Sequence, residues 1–154
     1  CNSRSGCDRL RAVDTDTIRF TAVIKSREDE QRRFWGHAYV TKDADGVQVV
    51  DHSGDVIDTP ESMAALEAAF YDYVRESRSG DLEHSEFGAA ELIEGVAVTP
   101  EKRAAGLFPA DMPDGILVGF QAADTPAGDA LWEGVKSGRL TAMSIVGEGE
   151  RVPL

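Results

Sequence analysis

At 154 residues and 42% hydrophobic, the chain fits one domain with a single core and is short for two. Its 16 basic and 28 acidic residues leave a net charge of −12, which repels phosphate backbones and disfavours direct nucleic-acid binding while suiting a basic protein partner. No apolar run approaches the roughly 20 residues of a membrane-spanning helix, and no basic segment followed by an apolar core opens the chain, so a soluble protein with no membrane partner is expected.

Residues 1–16 are polar and without a period, and read as a flexible lead-in to a single domain over 17–154. Cys1 and Cys7 are too few for a disulfide framework or a zinc cluster. A chain that begins with Cys1 also fits a processed product or a fragment. Thr17 to Ile24 alternates apolar with polar residues as a half-buried strand does, and 26–33 reads as a charged connection. Phe34 to Val40 is a second strand, with Trp35, His37 and Tyr39 on one face. Val47 to Val50 is a third, after the turn signal Asp43-Ala44-Asp45-Gly46.

Thr59-Pro60-Glu61 has the cap, first-turn proline and acid of a helix start. Met63, Leu66, Phe70, Tyr73 and Val74 then place an apolar stripe on one face through Arg78, and Ser79-Gly80 ends the helix. Ala90 to Val98 reads as a strand, Pro100 to Leu107 as a short helical turn and Gly115 to Phe120 as a further strand. Thr125-Pro126 starts a second long helix, lined by Leu131, Trp132 and Val135 and stopped by Ser137-Gly138. Leu140 to Val146 is the last strand. The expected fold class is α+β: a mostly antiparallel sheet or β-barrel with helices packed around it, closure being one way to remove exposed edges.

A serine inside that last strand asks for a chemical reason. Ser144 lies between Met143 and Ile145, so if those two face the core its hydroxyl faces a groove. Serine attacks poorly unless a base takes its proton, and histidine suits that task near neutral pH. His84, in the polar run Asp81 to Glu86, is the leading base. Gly147 is the candidate for backbone N–H donation to an oxyanion, a contact worth about 3–4 kcal/mol of transition-state stabilisation. A carboxylate should orient the histidine. Glu94, Glu86, Asp51, Glu148 and Glu150 all qualify, Glu94 standing first, and His52 is in reserve if the third member is an imidazole. His37 reads as a packed structural residue. Asp51, His52 and Asp55 form a weak metal alternative whose spacing matches no specific ligand pattern.

The ordered set of segments resembles the phage serine proteases of the XkdF type, within the broader class of prohead (capsid maturation) proteases. The segments are Gly36-His37-Ala38-Tyr39-Val40, Val50-Asp51-His52-Ser53-Gly54-Asp55-Val56-Ile57, the helix around Ser62 to Leu66, His84, a strand, and the block from Leu131-Trp132-Glu133-Gly134-Val135-Lys136 through Ser144-Ile145-Val146-Gly147. The resemblance spans about residues 34 to 151, and its last block is the most specific part. It implies a fold similar to herpesvirus assemblin, a β-barrel surrounded by helices. It also implies a serine endopeptidase acting in the host cytoplasm inside assembling proheads, on scaffold and major capsid protein segments, with Ser144 as nucleophile and His84 as base. Such proteins can depend on a homodimer, and the chemistry calls for no metal or organic cofactor. The alternative expectation is a non-catalytic virion or scaffold-interaction domain of the same fold.

Overall fold

The computed structural model describes residues 16–43, 45–50, 54–82 and 86–149, with the backbone alone for 16–22, 82, 86–87 and 144–149. Strand β1 (Asp16–Glu28) and strand β2 (Arg33–Val40) form an antiparallel pair. The charged connection expected over 26–33 shrinks to residues 29–32, because Ser26, Arg27 and Glu28 pair with Trp35, Phe34 and Arg33. The Glu28 carboxylate accepts the N–H groups of Glu30 and Gln31, and Arg32 turns the chain with φ 58°.

The strand expected over Val47–Val50 does not form. Instead the Asp43 carboxylate accepts the N–H groups of Asp45 and Val47, each at 2.9 Å, and closes a local loop with one isolated bridge between Lys42 and Gln48. Val47 and Val50 stay 61% and 56% exposed, so burial offers these residues nothing against the turn.

Helix α1 (Pro60–Glu76) begins as expected, with Thr59 and Ser62 exchanging side-chain and backbone bonds in a capping box. It stops short of Arg78, whose φ of 54° redirects the chain into strand β3 (Ser79–Leu82). Ser79-Gly80, expected to be only a stop, therefore opens a strand that its composition does not announce. Pairing of Ser79 with Glu91 and Gly80 with Ala90 creates it. Strand β4 (Glu86–Val98), helix α2 (Pro100–Ala104), strand β5 (Gly115–Ala122), helix α3 (Pro126–Ser137) and strand β6 (Ala142–Gly149) complete the chain order. Thr125 caps α3, and Gly138 ends it in the left-handed conformation at φ 75°.

The six strands lie in the order β3-β4-β5-β2-β1-β6, every neighbour antiparallel, and the sheet curls into a half-barrel with three helices. The fold class is α+β. The sheet is not a closed barrel among the described residues, where β3 and β6 stand at its two ends. Its curl turns on β1. Asp16 to Val23 pair with β6, whereas Ile24 to Glu28 pair with β2, and a bulge between Ile24 and Ser26 marks the change. At that corner β6 approaches β2 across β1, closer than a flat sheet with about 4.8 Å per strand allows. Gly36 is the β2 residue at the crossing. A Cβ there would lie 2.5 Å from the Val23 carbonyl oxygen and 2.7 Å from Met143 Cε.

Both long helices cover the same sheet face. Ile116, Val118, Phe120 and Ala122 alternate along β5, the first two joining Met63 and Phe70 of α1, and Ala122 joining Leu131, Trp132 and Val135 of α3. Phe120 and Met143 touch both clusters and make one core of them. Full burial of each large side chain adds about 1.5–3 kcal/mol, so this shared face carries the domain. A second bulge, between His37 and Tyr39, overturns the expectation that Trp35, His37 and Tyr39 share a face. Tyr39 turns into the core at 1% exposure and donates to the Ile57 carbonyl at 3.0 Å, and burial pushes its phenol up to about 12.

The short α2 is tied down by Lys102, whose ammonium donates to Glu67 Oε1 at 2.8 Å, to Tyr71 Oη at 2.9 Å and to the Ala97 carbonyl at 2.7 Å. The bonds from Lys102 and then Tyr71 hold the Glu67 carboxyl below its ordinary 4.5. Folding therefore gains stability from Glu67 that is complete above the unfolded value and lost as pH falls through the lower folded value. A Glu67→Gln variant is expected to melt below the parent at neutral pH and to converge on it only once the pH has fallen below the lowered folded value, as thermal unfolding by circular dichroism will measure.

Candidate active site

Strand β6 carries the proposed nucleophile. Ser144 stands opposite Thr21 on β1, and its neighbour Met143 packs into the shared core. Among the described residues β6 pairs with β1 alone, so its other edge is free of strands. The ladder keeps β6 regular through Gly149, opposite Asp16, which bears on the oxyanion assignment. Gly147, opposite Ile18, stands three residues from Ser144, about 10 Å along an extended strand. Oxyanion donors must come within about 3 Å of the developing charge, so Gly147 is out of reach for that role.

His84 lies in 83–85, between β3 and β4 and outside the described residues, as do Asp51, His52 and Glu150. Glu86 opens β4 opposite Leu82, and Glu148 stands opposite Thr17 in the β1–β6 ladder. Glu94, the first choice for the third catalytic member, has a different partner: its carboxylate accepts the indole N–H of Trp35. It pairs across from Gly119, with β5, β2 and β1 between β4 and the strand of Ser144. The structure does not bring Glu94 and Ser144 together. Sequence spacing had no means to reveal this, because the bulge between Leu92 and Glu94 sets which way that carboxylate points.

His37 behaves as the packed residue expected of it. Its Nε2 is shut away from solvent without a hydrogen-bond partner, and burial, assisted by the Lys25 cation, holds the ring below its usual value and therefore neutral near pH 7. Among the described residues no three His, Cys, Asp or Glu side chains gather to hold a metal, and of the Asp51, His52 and Asp55 group only Asp55 is described. No helix among the described residues is long and apolar enough to cross a membrane.

Sequence reasoning missed a groove of about 350 Å³ immediately before β6. Its floor is Val23 to Arg27 of β1, and its wall is Val135 with Gly138, Leu140 and Thr141, the segment that leads from α3 into β6. Arg27 braces the wall by donating to the Lys136 carbonyl at 2.9 Å, where a cation also meets the negative end of α3. The signal was present in the run Ile24-Lys25-Ser26-Arg27, whose charges made a strand look like a connection.

Comparison with protein-family models, with curated proteins and with solved structures finds no match to this chain.

Proposed function

We propose that this chain is a serine endopeptidase that matures viral proheads, with Ser144 as nucleophile and His84 as its base. The observation that carries the reading is the position of Ser144 on an end strand, three residues beyond Thr141 at the rim of the groove. An end strand lets an extended substrate add main-chain hydrogen bonds beside the nucleophile without demanding much side-chain specificity. The ordered segments from Gly36 to Gly147 and the curled antiparallel sheet with helices support the same reading.

In this mechanism His84 takes the Ser144 hydroxyl proton as the oxygen attacks a peptide carbonyl. The same imidazole then protonates the departing amine, and water hydrolyses the acyl-enzyme. No metal or organic cofactor enters. The substrates are scaffold and major capsid protein segments, cut inside the assembling prohead in the host cytoplasm, by a monomer or a homodimer. Orientation of His84 falls to a carboxylate, with Glu94 and Glu86 the leading candidates and Asp51, Glu148 and Glu150 behind them.

A second reading is a non-cleaving virion or scaffold-interaction domain of the same fold. It is favoured by the commitment of Glu94 to Trp35 and by the distance of Gly147 from Ser144. A serine-directed fluorophosphonate separates the two. Mass spectrometry is expected to find the label on Ser144 in the parent protein and to find it lost in His84→Ala, with chelator making no difference. Folded parent protein that stays unlabelled at Ser144 sinks the endopeptidase.

A further inference from the structure

We infer that the groove beside β1 binds an extended acidic peptide, which adds to β1 as a strand where β6 leaves off. The ladder between β6 and β1 ends at Ala142 and Val23, with one more bond from the Ile24 N–H to the Thr141 carbonyl at 2.8 Å. Leu140 then turns back to α3 by donating its N–H to the Gly134 carbonyl. β1 continues to Glu28 with β2 on one side and no strand on the other among the described residues. A strand edge of this kind presents main-chain groups that an extended peptide satisfies, and Ile24 to Glu28 span about 16 Å, room for four or five residues.

The charge of the groove selects the peptide. In a chain of net charge −12, the two charged residues lining it, Lys25 and Arg27, are both basic. Arg27 is shared with Asp29 at 3.1 Å and with the end of α3. Lys25 is exposed and pairs with no carboxylate among the described residues. Val23, 55% exposed, and Leu140 supply apolar contacts beside these cations, so the fitting sequence combines aliphatic with acidic residues. That this peptide is the flank of a substrate cut at Ser144 rests on the endopeptidase reading. The binding itself does not.

The probe is a fluorescent eight-residue peptide of alternating valine and glutamate, set against its valine–lysine counterpart. Both are titrated by anisotropy into the full chain carrying Ser144→Ala, so that nothing is turned over. The acidic peptide is expected to bind saturably and at least about tenfold more tightly than the basic one. Lys25→Glu should weaken it by a similar factor, and hydrogen exchange should slow at residues 24–27. No saturable binding, equal binding of both peptides, an unmoved affinity in Lys25→Glu, or protection confined to another part of the chain would overturn the inference. Cleavage of scaffold protein by the parent, run in parallel, separates the two proposals. Peptide binding without cleavage leaves the groove standing and the protease fallen, while cleavage without peptide binding does the reverse.

Discussion

Replacing Ser144 by alanine is expected to abolish cleavage of the scaffold protein, with a fall in kcat of at least about a thousandfold and up to about a millionfold. The magnitude follows from the proposed role: in that mechanism no acyl-enzyme forms without the hydroxyl, and what survives is the slow attack of water on a bound peptide. His84→Ala should cost nearly as much, and the double variant little more than either, because nucleophile and base act as one unit. Such non-additivity is the sharper measurement, since two unrelated structural lesions would multiply. Gel-based single-turnover assays of the parent and the three variants test it, with thermal midpoints measured alongside to separate lost chemistry from lost fold. Cleavage by Ser144→Ala at more than about a tenth of the parental rate would remove the serine from the mechanism.

A large effect on stability is expected at Gly36. Alanine there places a Cβ 2.5 Å from the Val23 carbonyl oxygen, 2.7 Å from Met143 Cε and 3.1 Å from Ile24 Cα. The Met143 tip can swing aside, but the Val23 carbonyl and Ile24 Cα belong to β1 backbone at the point where it passes from the β6 ladder to the β2 ladder. Relief therefore requires the corner to open. Overpacking of this kind costs about 3 kcal/mol, and for a domain of this size the thermal midpoint should drop by about 6–12 °C. Because Met143 precedes Ser144 on β6, activity measured well below the new midpoint should fall as well. An alanine variant that melts within about 2 °C of the parent would mean that β6 does not press on β2 as described.

Helices were legible because their signals are local. Thr59-Pro60 and Thr125-Pro126 mark their own starts, and Gly138 marks a stop, by chemistry contained within a few residues. Strands β4 and β5 were legible in their cores because the apolar residues of Ala90 to Val98 and Gly115 to Phe120 are dense enough to mark a strand without knowledge of its partner. What failed was whatever depends on a partner. Ser79 to Leu82 becomes a strand only because β4 lies beside it, and Ser26 to Glu28 only because β2 does, while Val47 to Val50 gains no more than the single bridge of Gln48 to Lys42 and stays in a loop. Bulges also defeat pattern reading, since one extra residue reverses every face beyond it. That is why Tyr39 parts company with Trp35 and why Glu94 meets an indole. For the candidate site, chemistry suggested which residue types to pair, but the partners of each carboxylate are set by the folded sheet.

The division of β1 between two ladders also imposes a timetable. On the ribosome, the half of β1 from Ile24 to Glu28 finds β2 almost at once, whereas the half from Asp16 to Val23 must wait for Ala142 to Gly149 to be synthesised. Pairings so far apart along a chain form slowly, and this one delivers the strand that bears Ser144. On the proposed endopeptidase reading, a nascent or truncated polypeptide without Ala142 to Gly149 thus lacks the strand of its nucleophile, and the protease stays harmless to its neighbours until those residues have been made.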